Sequence, residues 1–224
     1  MTRPSFDRLA PLYRWLEWGT YGGLLQWCRT AHLPEVVECR RAVVVGDGDG
    51  RFLAALLRAA PALTADSLDV SPGMIALARR EVARVPGGPS RARFFVADVR
   101  TDPLPAPGYD LVVTNFLLDC FPADQLKQVV DRLAGGAGPD ARWVVGDFAV
   151  PRGAVPRRAA RWALAAMYAF FRAVTRIPAG ELVDPGPALL AAGFVPVSRR
   201  ERLAGFLVST LWERGDRPGR PHRG

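Results

Sequence analysis

The sequence predicts an α/β fold, an open and mostly parallel sheet with helices on both faces, and three observations predict it. From Arg41 to Arg58, RAVVVGDGDGRFLAALLR passes from a β-branched stretch through three glycines at alternate positions into an apolar helix. Two later strand-like stretches, ADSLDV from Ala65 to Val70 and RARFFVADV from Arg91 to Val99, carry acids at their far ends, Asp69 and Asp98. Segments of strand length alternate with segments of helical period, the pattern of parallel strands joined by crossover helices.

Taken in order, the first thirty-odd residues read as two helices, Ser5 to Trp18 and Tyr21 to His32, split near Gly19 and Gly22. Trp15, Trp18 and Trp27 stand at helical spacing and read as packing residues. Ala42 to Val45 has the composition of a strand buried on both faces, and Phe52, Ala55, Leu56 and Ala59 give the following helix. Pro61 stops that helix before the second strand. Ser71 is the expected N-cap and Pro72 the first residue of a helix reaching about Arg84. Pro86 to Pro89 and Thr101 to Gly108 read as loops around the third strand, and Asp110 to Asn115 as the fourth strand. Pro122 to Ala134 reads as a helix closed by Gly135 and Gly136, and Ala141 to Phe148 as a fifth strand carrying Asp147. Pro156 to Arg176 is a long helix with arginines on one side and Trp162, Tyr168, Phe170 and Phe171 on the other. Pro187 to Ala192 is a short helix, and Phe194 to Leu203 with Phe206 to Glu213 form a hairpin around Ala204-Gly205. Gly215 to Gly224, rich in Arg, Pro and Gly, reads as a disordered tail.

Gly46, Gly48 and Gly50 let the backbone turn sharply and approach a ligand, while the helix behind them presents unpaired N–H groups. An ordinary strand-to-helix turn has the same outline. Asp69 follows Gly50 by nineteen residues, the spacing at which a carboxylate accepts from ribose hydroxyls, and Asp98 stands where one can accept from an adenine amine. Ligands of open parallel sheets bind outside the carboxyl ends of the strands, so these signals fall on one edge.

On VVVGDGDGR, LDVSPGMIALARR, VADVR and YDLVVTNFLLD the chain resembles the class I S-adenosylmethionine-dependent methyltransferases, over roughly Phe6 to Trp212. It departs from them at Val44, where many members carry an acid. The opening FDRLAPLY, Phe6 to Tyr13, is similar to the start of the ubiquinone and menaquinone biosynthesis methyltransferases, with Arg14 where they usually have aspartate. The resemblance implies a Rossmann-like, seven-stranded methyltransferase sheet, mostly parallel with a reversed last strand. It implies S-adenosyl-L-methionine as cofactor, held by Gly46, Asp47, Gly48, Gly50, Asp69, Val70, Met74, Asp98, Val99, Asn115 and Phe116, with Tyr13 near it. It also implies a helical lid over residues 1–40, a cofactor-binding domain over 41–213, and a tail over 214–224. Met74 otherwise reads as a core residue. Asp47 and Asp49 either attract the cofactor's ammonium group or face water.

Methyl transfer from a sulfonium needs a base only where the acceptor must lose a proton. Asp119 is the best-placed candidate for that catalytic role, with Asp147 behind it; a helix N-cap is the alternative for Asp119. No cluster of His, Cys or carboxylates has metal-ligand spacing, and no nucleophile-and-base pair is visible, so neither metal-dependent nor covalent transfer is expected.

With 224 residues the chain suits one domain with a sizeable core. Its formal charge of +8 invites an anionic partner, yet 29 of the 30 basic residues are Arg and they spread along the chain, as codon bias would also produce. Cys28, Cys39 and Cys120 are odd in number and suggest a reducing compartment, and Arg3, Asp7 and Arg8 interrupt any leader, so a cytoplasmic protein is expected. The longest apolar run, Trp162 to Phe171, is about half a bilayer span, which leaves peripheral membrane contact open. TNFLLD lacks the Asn or Asp, Pro, Pro, aromatic signature of base-amine methyltransferases. A small apolar or aromatic acceptor is therefore expected, and a nucleic acid is not. A dinucleotide-dependent oxidoreductase would need glycine where Arg51 stands, and a non-catalytic cofactor-binding protein is a third reading. The sequence does not name an oligomeric state.

Overall fold

A computed structural model describes residues 23–149 and 183–215. Seven strands form one sheet in the order β3-β2-β1-β4-β5-β7-β6. They are β1 (Arg41–Val45), β2 (Thr64–Asp69), β3 (Ala92–Val96), β4 (Tyr109–Asn115), β5 (Ala137–Phe148), β6 (Phe194–Arg202) and β7 (Leu207–Arg214). β7 alone is reversed, pairing antiparallel with both β5 and β6. The helices are α1 (Gly23–Thr30), α2 (Arg51–Ala59), α3 (Pro72–Val82), α4 (Gly88–Arg91), α5 (Ala123–Gly136) and α6 (Gly186–Ala191). This is the Rossmann-like methyltransferase sheet expected from the sequence.

The continuous apolar run of β1 is explained by burial on both sides. Ala42 and Val44 join one core with Phe52, Leu53 and Leu56 of α2 and Val82 of α3. Val43 and Val45 join the other with Leu126, Val130 and Leu133 of α5 and Leu189 of α6. Successive strand residues point to opposite faces, so each face needs its own helical cover. Beneath the second face Asp66 of β2 is buried but satisfied, accepting from Arg93 Nε and Nη2, each at 2.7 Å, and from the Tyr109 hydroxyl at 2.7 Å. α1 docks on the reversed strand, where the Cys28 thiol donates to the Val208 carbonyl at 3.3 Å. His32, just beyond it, bridges Ser209 O and Glu35.

Three expectations need correction. The third strand stops at Val96, so Asp98 and Val99 lie in the following turn, which the Asp102 carboxylate closes by accepting from the Asp98 N–H at 2.9 Å. The loop expected at Pro86 to Pro89 contains a helical turn, α4, entered through Gly87 at φ 66°. Gly135 and Gly136 belong to α5, and β5 starts directly at Ala137, with an irregular register between Tyr109 and Leu111 absorbing the early start. The expected hairpin around Ala204-Gly205 is present, turning through left-handed backbone at Leu203, Ala204 and Gly205. Tyr13 and the FDRLAPLY segment, the helix expected over Pro156 to Arg176, and the tail beyond Gly215 lie outside the described residues. Among the described residues, no helix is long and apolar enough to cross a membrane.

Candidate functional site

The carboxyl ends of β1, β2, β4 and β5 share one edge of the sheet. At β1, Gly46, Gly48 and Gly50 all have positive φ, at 70°, 65° and 82°. Gly50 also has no room for a side chain, and at Gly46 one would have to displace the end of the Leu117 side chain. A Cβ on Gly46 would sit 2.9 Å from Leu117 Cδ1, and one on Gly50 would sit 2.6 Å from the Ala78 Cα. The first glycine brings the loop against the segment after β4; the last brings α2 against α3.

Both loop acids are buried, which removes the reading that they face water. Asp49 pairs with Arg51. Asp47, 6% exposed, accepts the Leu53 N–H at 3.0 Å, so it caps α2 from a distance in place of the Gly50 N-cap, which has no side chain. Burial above all raises the Asp47 pKa to about 7, against the opposing pull of the Leu53 N–H and of Arg29.

On the β2 side, Asp69 accepts the Ser71 N–H at 2.9 Å, and Ser71 in turn caps α3 by accepting from the Met74 N–H at 3.2 Å. The expected cap is therefore real, and it steadies the strand end that carries Asp69. Val70 is half-buried beside it, and Met74 is buried. The Asp98 carboxylate is buried and forked by Arg100, with Nη2 at 2.7 Å. Val99 directs its side chain into the core, leaving backbone to face any ligand.

Beyond β4 the polar groups are held differently. Asn115, 4% exposed, has neither Oδ1 nor Nδ2 in a hydrogen bond among the described residues. Phe116 adopts left-handed backbone at φ 55°, a costly conformation for a bulky residue, and its N–H donates to Gly146 O at 2.6 Å. Its ring packs on Phe148 at 5.1 Å, and the Arg29 guanidinium of α1 lies over it at 5.3 Å. Asp119 is buried within the short 3-10 turn Leu118–Cys120. The N-cap of α5 is Pro122, so Asp119 does not cap that helix. Asp147, at the end of β5, faces Asp119, and burial first and that carboxylate second hold its pKa well above the usual range.

At or just beyond these strand ends stand Gly46, Asp47, Gly48, Gly50, Asp69, Val70, Met74, Asp98, Val99, Asn115, Phe116 and Asp119; Tyr13 lies outside the described residues. Arg29, over Phe116, and Leu117, against Gly46, stand beside them and escaped the sequence reading. Arg29 is one arginine among many, and only the docking of α1 buries it, at 4% exposed. The chemistry of this set suits an amino acid joined to a nucleoside. Among the described residues, Asp47 Oδ1 and both polar atoms of Asn115 are buried without partners, and Arg29 acts on Asp47, so donors and acceptors for a zwitterion stand near the glycines.

Residues 42–148 match the family model described as a methyltransferase domain. Uncharacterised methyltransferases of Mycobacterium bovis and Mycobacterium tuberculosis are 33% identical over 121 residues, 54% of this chain. The chain spans only 56% of the length of each of these curated relatives in the match. Among solved structures, the apo S-adenosylmethionine-dependent methyltransferase SibL aligns with TM-score 0.69 at 24% identity, over 96% of this chain and 63% of its own. The mitomycin 7-O-methyltransferase MmcR aligns with TM-score 0.67 at 21% identity, over 94% and 61%. The Burkholderia thailandensis 1,6-didemethyltoxoflavin N1-methyltransferase, with 1,6-didemethyltoxoflavin and S-adenosylhomocysteine bound, aligns with TM-score 0.65 at 18% identity, over 94% and 86%. The fold is that of class I S-adenosylmethionine-dependent methyltransferases.

Proposed function

We propose that this chain, whose residues 42–148 match a methyltransferase domain, is an S-adenosylmethionine-dependent methyltransferase acting on a small, apolar or aromatic molecule through oxygen or carbon. The observation that carries this reading is the gathering of the glycine loop, Asp69, Asp98, Asn115 and Arg29 at one sheet edge. When bound, S-adenosylmethionine supplies an electrophilic methyl group whose departure leaves a neutral thioether. Asp69 would accept from the ribose hydroxyls, the Asp98–Val99 turn would meet the adenine edge, and Met74 would pack on the ring. Arg29 would face the carboxylate of the amino-acid end; Asp47 and Asn115 would face its ammonium. The chain's main task is then to hold the acceptor in line with the methyl, and orientation alone supplies on the order of 7 to 11 kcal/mol.

Calorimetry tests the cofactor reading. Asp69→Ala should weaken S-adenosylhomocysteine binding by roughly 1.5 to 3 kcal/mol, the range for hydrogen bonds to a charged group. Unchanged affinity removes the ribose role, and tight NAD binding by the wild type revives the oxidoreductase.

The acceptor reading draws on the Phe116–Phe148 ring pair beside the site and on the aromatic side expected for Trp162 to Phe171, outside the described residues. The likeness of FDRLAPLY to ubiquinone and menaquinone biosynthesis enzymes favours a quinol-like acceptor, with residues 1–40 as a lid. Methyl transfer to phenols, quinols and lipid extracts, compared with Tyr168→Ala, is the test. Transfer to RNA with a steep salt dependence and none to the small molecules would replace the acceptor class.

A further inference from the structure

Asn115, the only asparagine of the chain, ends β4 between two glycine positions. β1 pairs with β4 as far as Val45 and Thr114, so Asn115 comes next beside the glycine loop. On its other side it pairs with Gly146 of β5, which pairs in turn with Ser209 of β7. Alternation along the strands puts Asn115, Gly146 and Ser209 on the sheet face of Val113, Val144 and Leu211. α1 covers that face at this level, with Cys28 above Gly146.

The space that a side chain would take at position 146 is filled by Asn115. A Cβ on Gly146 would stand 2.5 Å from Asn115 Oδ1, 3.5 Å from its Cγ and 3.4 Å from Cys28 Sγ. The carboxamide therefore lies across Gly146, beneath α1. It is 4% exposed, and neither Oδ1 nor Nδ2 makes a hydrogen bond among the described residues. Groups close by are engaged elsewhere: the Cys28 thiol donates to the Val208 carbonyl at 3.3 Å, and the Gly146 carbonyl accepts the Phe116 N–H at 2.6 Å. A buried amide without bonds destabilises the free protein, and a ligand that supplies them removes that cost.

We propose that, on the cofactor reading given above, Gly146 is a positioning residue: by lacking a Cβ it lets the Asn115 carboxamide lie across β5, in the orientation that meets the amino-acid end of S-adenosylmethionine. Asn115 touches the ligand, and Gly146 acts through Asn115. A methyl group at position 146 would turn the carboxamide away from β5. The atom it displaces is the end of a flexible side chain, and its contact with Cys28 would be an ordinary one. The fold therefore tolerates that methyl group, whereas the orientation of the amide does not. Gly50 is the contrast, because a Cβ there would meet the backbone of Ala78 at 2.6 Å and force α2 away from α3.

Calorimetry with S-adenosylhomocysteine should show Gly146→Ala binding weaker by about tenfold or more, the loss of a hydrogen bond to a charged group. The thermal midpoint of the free variant should stay near that of the wild type. Asn115→Ala should lose a similar factor, and adding Gly146→Ala to it should lose little more, because both changes act on one contact. Wild-type affinity in Gly146→Ala overturns the proposal, and so does a double variant whose loss is the product of the two single losses. A Gly146→Ala protein that fails to fold makes the glycine a structural residue and overturns it as well. Nitrogen-15 labelling of asparagine alone gives a single side-chain amide signal, that of Asn115. This signal should move between free wild type and free Gly146→Ala, and in the wild type it should shift again on saturation with S-adenosylhomocysteine. A signal unmoved by Gly146→Ala overturns the positioning role whether or not a cofactor binds, and one unmoved by bound S-adenosylhomocysteine removes the contact itself. A wild type that binds no S-adenosylhomocysteine rejects the cofactor reading, while the spectra of the free proteins still report whether Gly146 sets the carboxamide.

Discussion

Asp66 and Asp147 are buried acids in strands of the same sheet, and the chain treats them in opposite ways. Asp66 sits within β2 and accepts three hydrogen bonds, two from Arg93 and one from Tyr109. Asp147 sits at a strand end with another carboxyl for company. A satisfied buried charge ties strands together, and its removal strands its partners. An unsatisfied one weakens the fold and persists where a ligand or a reaction uses it. On the proposed function, the difference separates the structural part of this sheet from its working edge.

The largest effect that would sharpen the contrast is in pH dependence. Asp47 also belongs to the working edge, and its folded pKa, about 7, lies above the ordinary carboxylate value. Between those values the folded chain holds a proton that the unfolded chain has released. Stability therefore falls as pH rises from about 4 to about 7, by up to about 1.4 kcal/mol per unit, and is level above. Asp147, raised by burial first and by Asp119 second, shares the sign. Urea denaturation across this range should show the slope in wild type and a flatter one in Asp47→Asn; equal slopes would mean that Asp47 is ionised throughout.

Asp66→Ala should come next, destabilising by about 3 kcal/mol, because the buried Tyr109 hydroxyl loses its acceptor along with hydrogen bonds to a charged group. Arg93, 60% exposed, turns to water and adds little. Tyr109→Phe removes only its own bond to Asp66 and should cost about 1.5 kcal/mol in the same measurement. A larger loss than for Asp66→Ala would place the stabilisation in ring packing. The surface control is Lys127 and Asp131, an exposed pair one turn apart on α5, where Lys127→Ala should shift stability by roughly 0.3 kcal/mol. A shift of a kilocalorie or more there would blur the line between structural and incidental charges.

Much of the sheet was legible in the residues. Strands buried on both faces need unbroken apolar runs, so β1, β4 and β5 declare themselves, and Ser71-Pro72 marks a helix start through its own capping chemistry. The end of β3 was not legible, because the turn after it is closed by the Asp102 carboxylate reaching back to Asp98, a bond without periodicity. At the site, the glycines, Asp69 and Asp98 announce themselves by spacing. Arg29 does not, since its burial depends on where α1 lands. The meeting of Asp119 with Asp147 follows from the register of β4 on β5, which pairs Asn115 with Gly146 and which no local pattern encodes.

The reversed strand β7 also sets a schedule. It lies between β5 and β6, and it receives the Cys28 thiol and the His32 ring. During synthesis, β5 therefore has an open edge until the ribosome has released the chain through Arg214. Until then α1, among the earliest described residues to emerge, lacks the part of its docking surface that β7 supplies. An unfinished chain presents a bare strand edge to its neighbours, the hazard of sheets that close late. Folding should accordingly wait for the last strand, and a chain stopped before Leu207 should aggregate rather than fold in part.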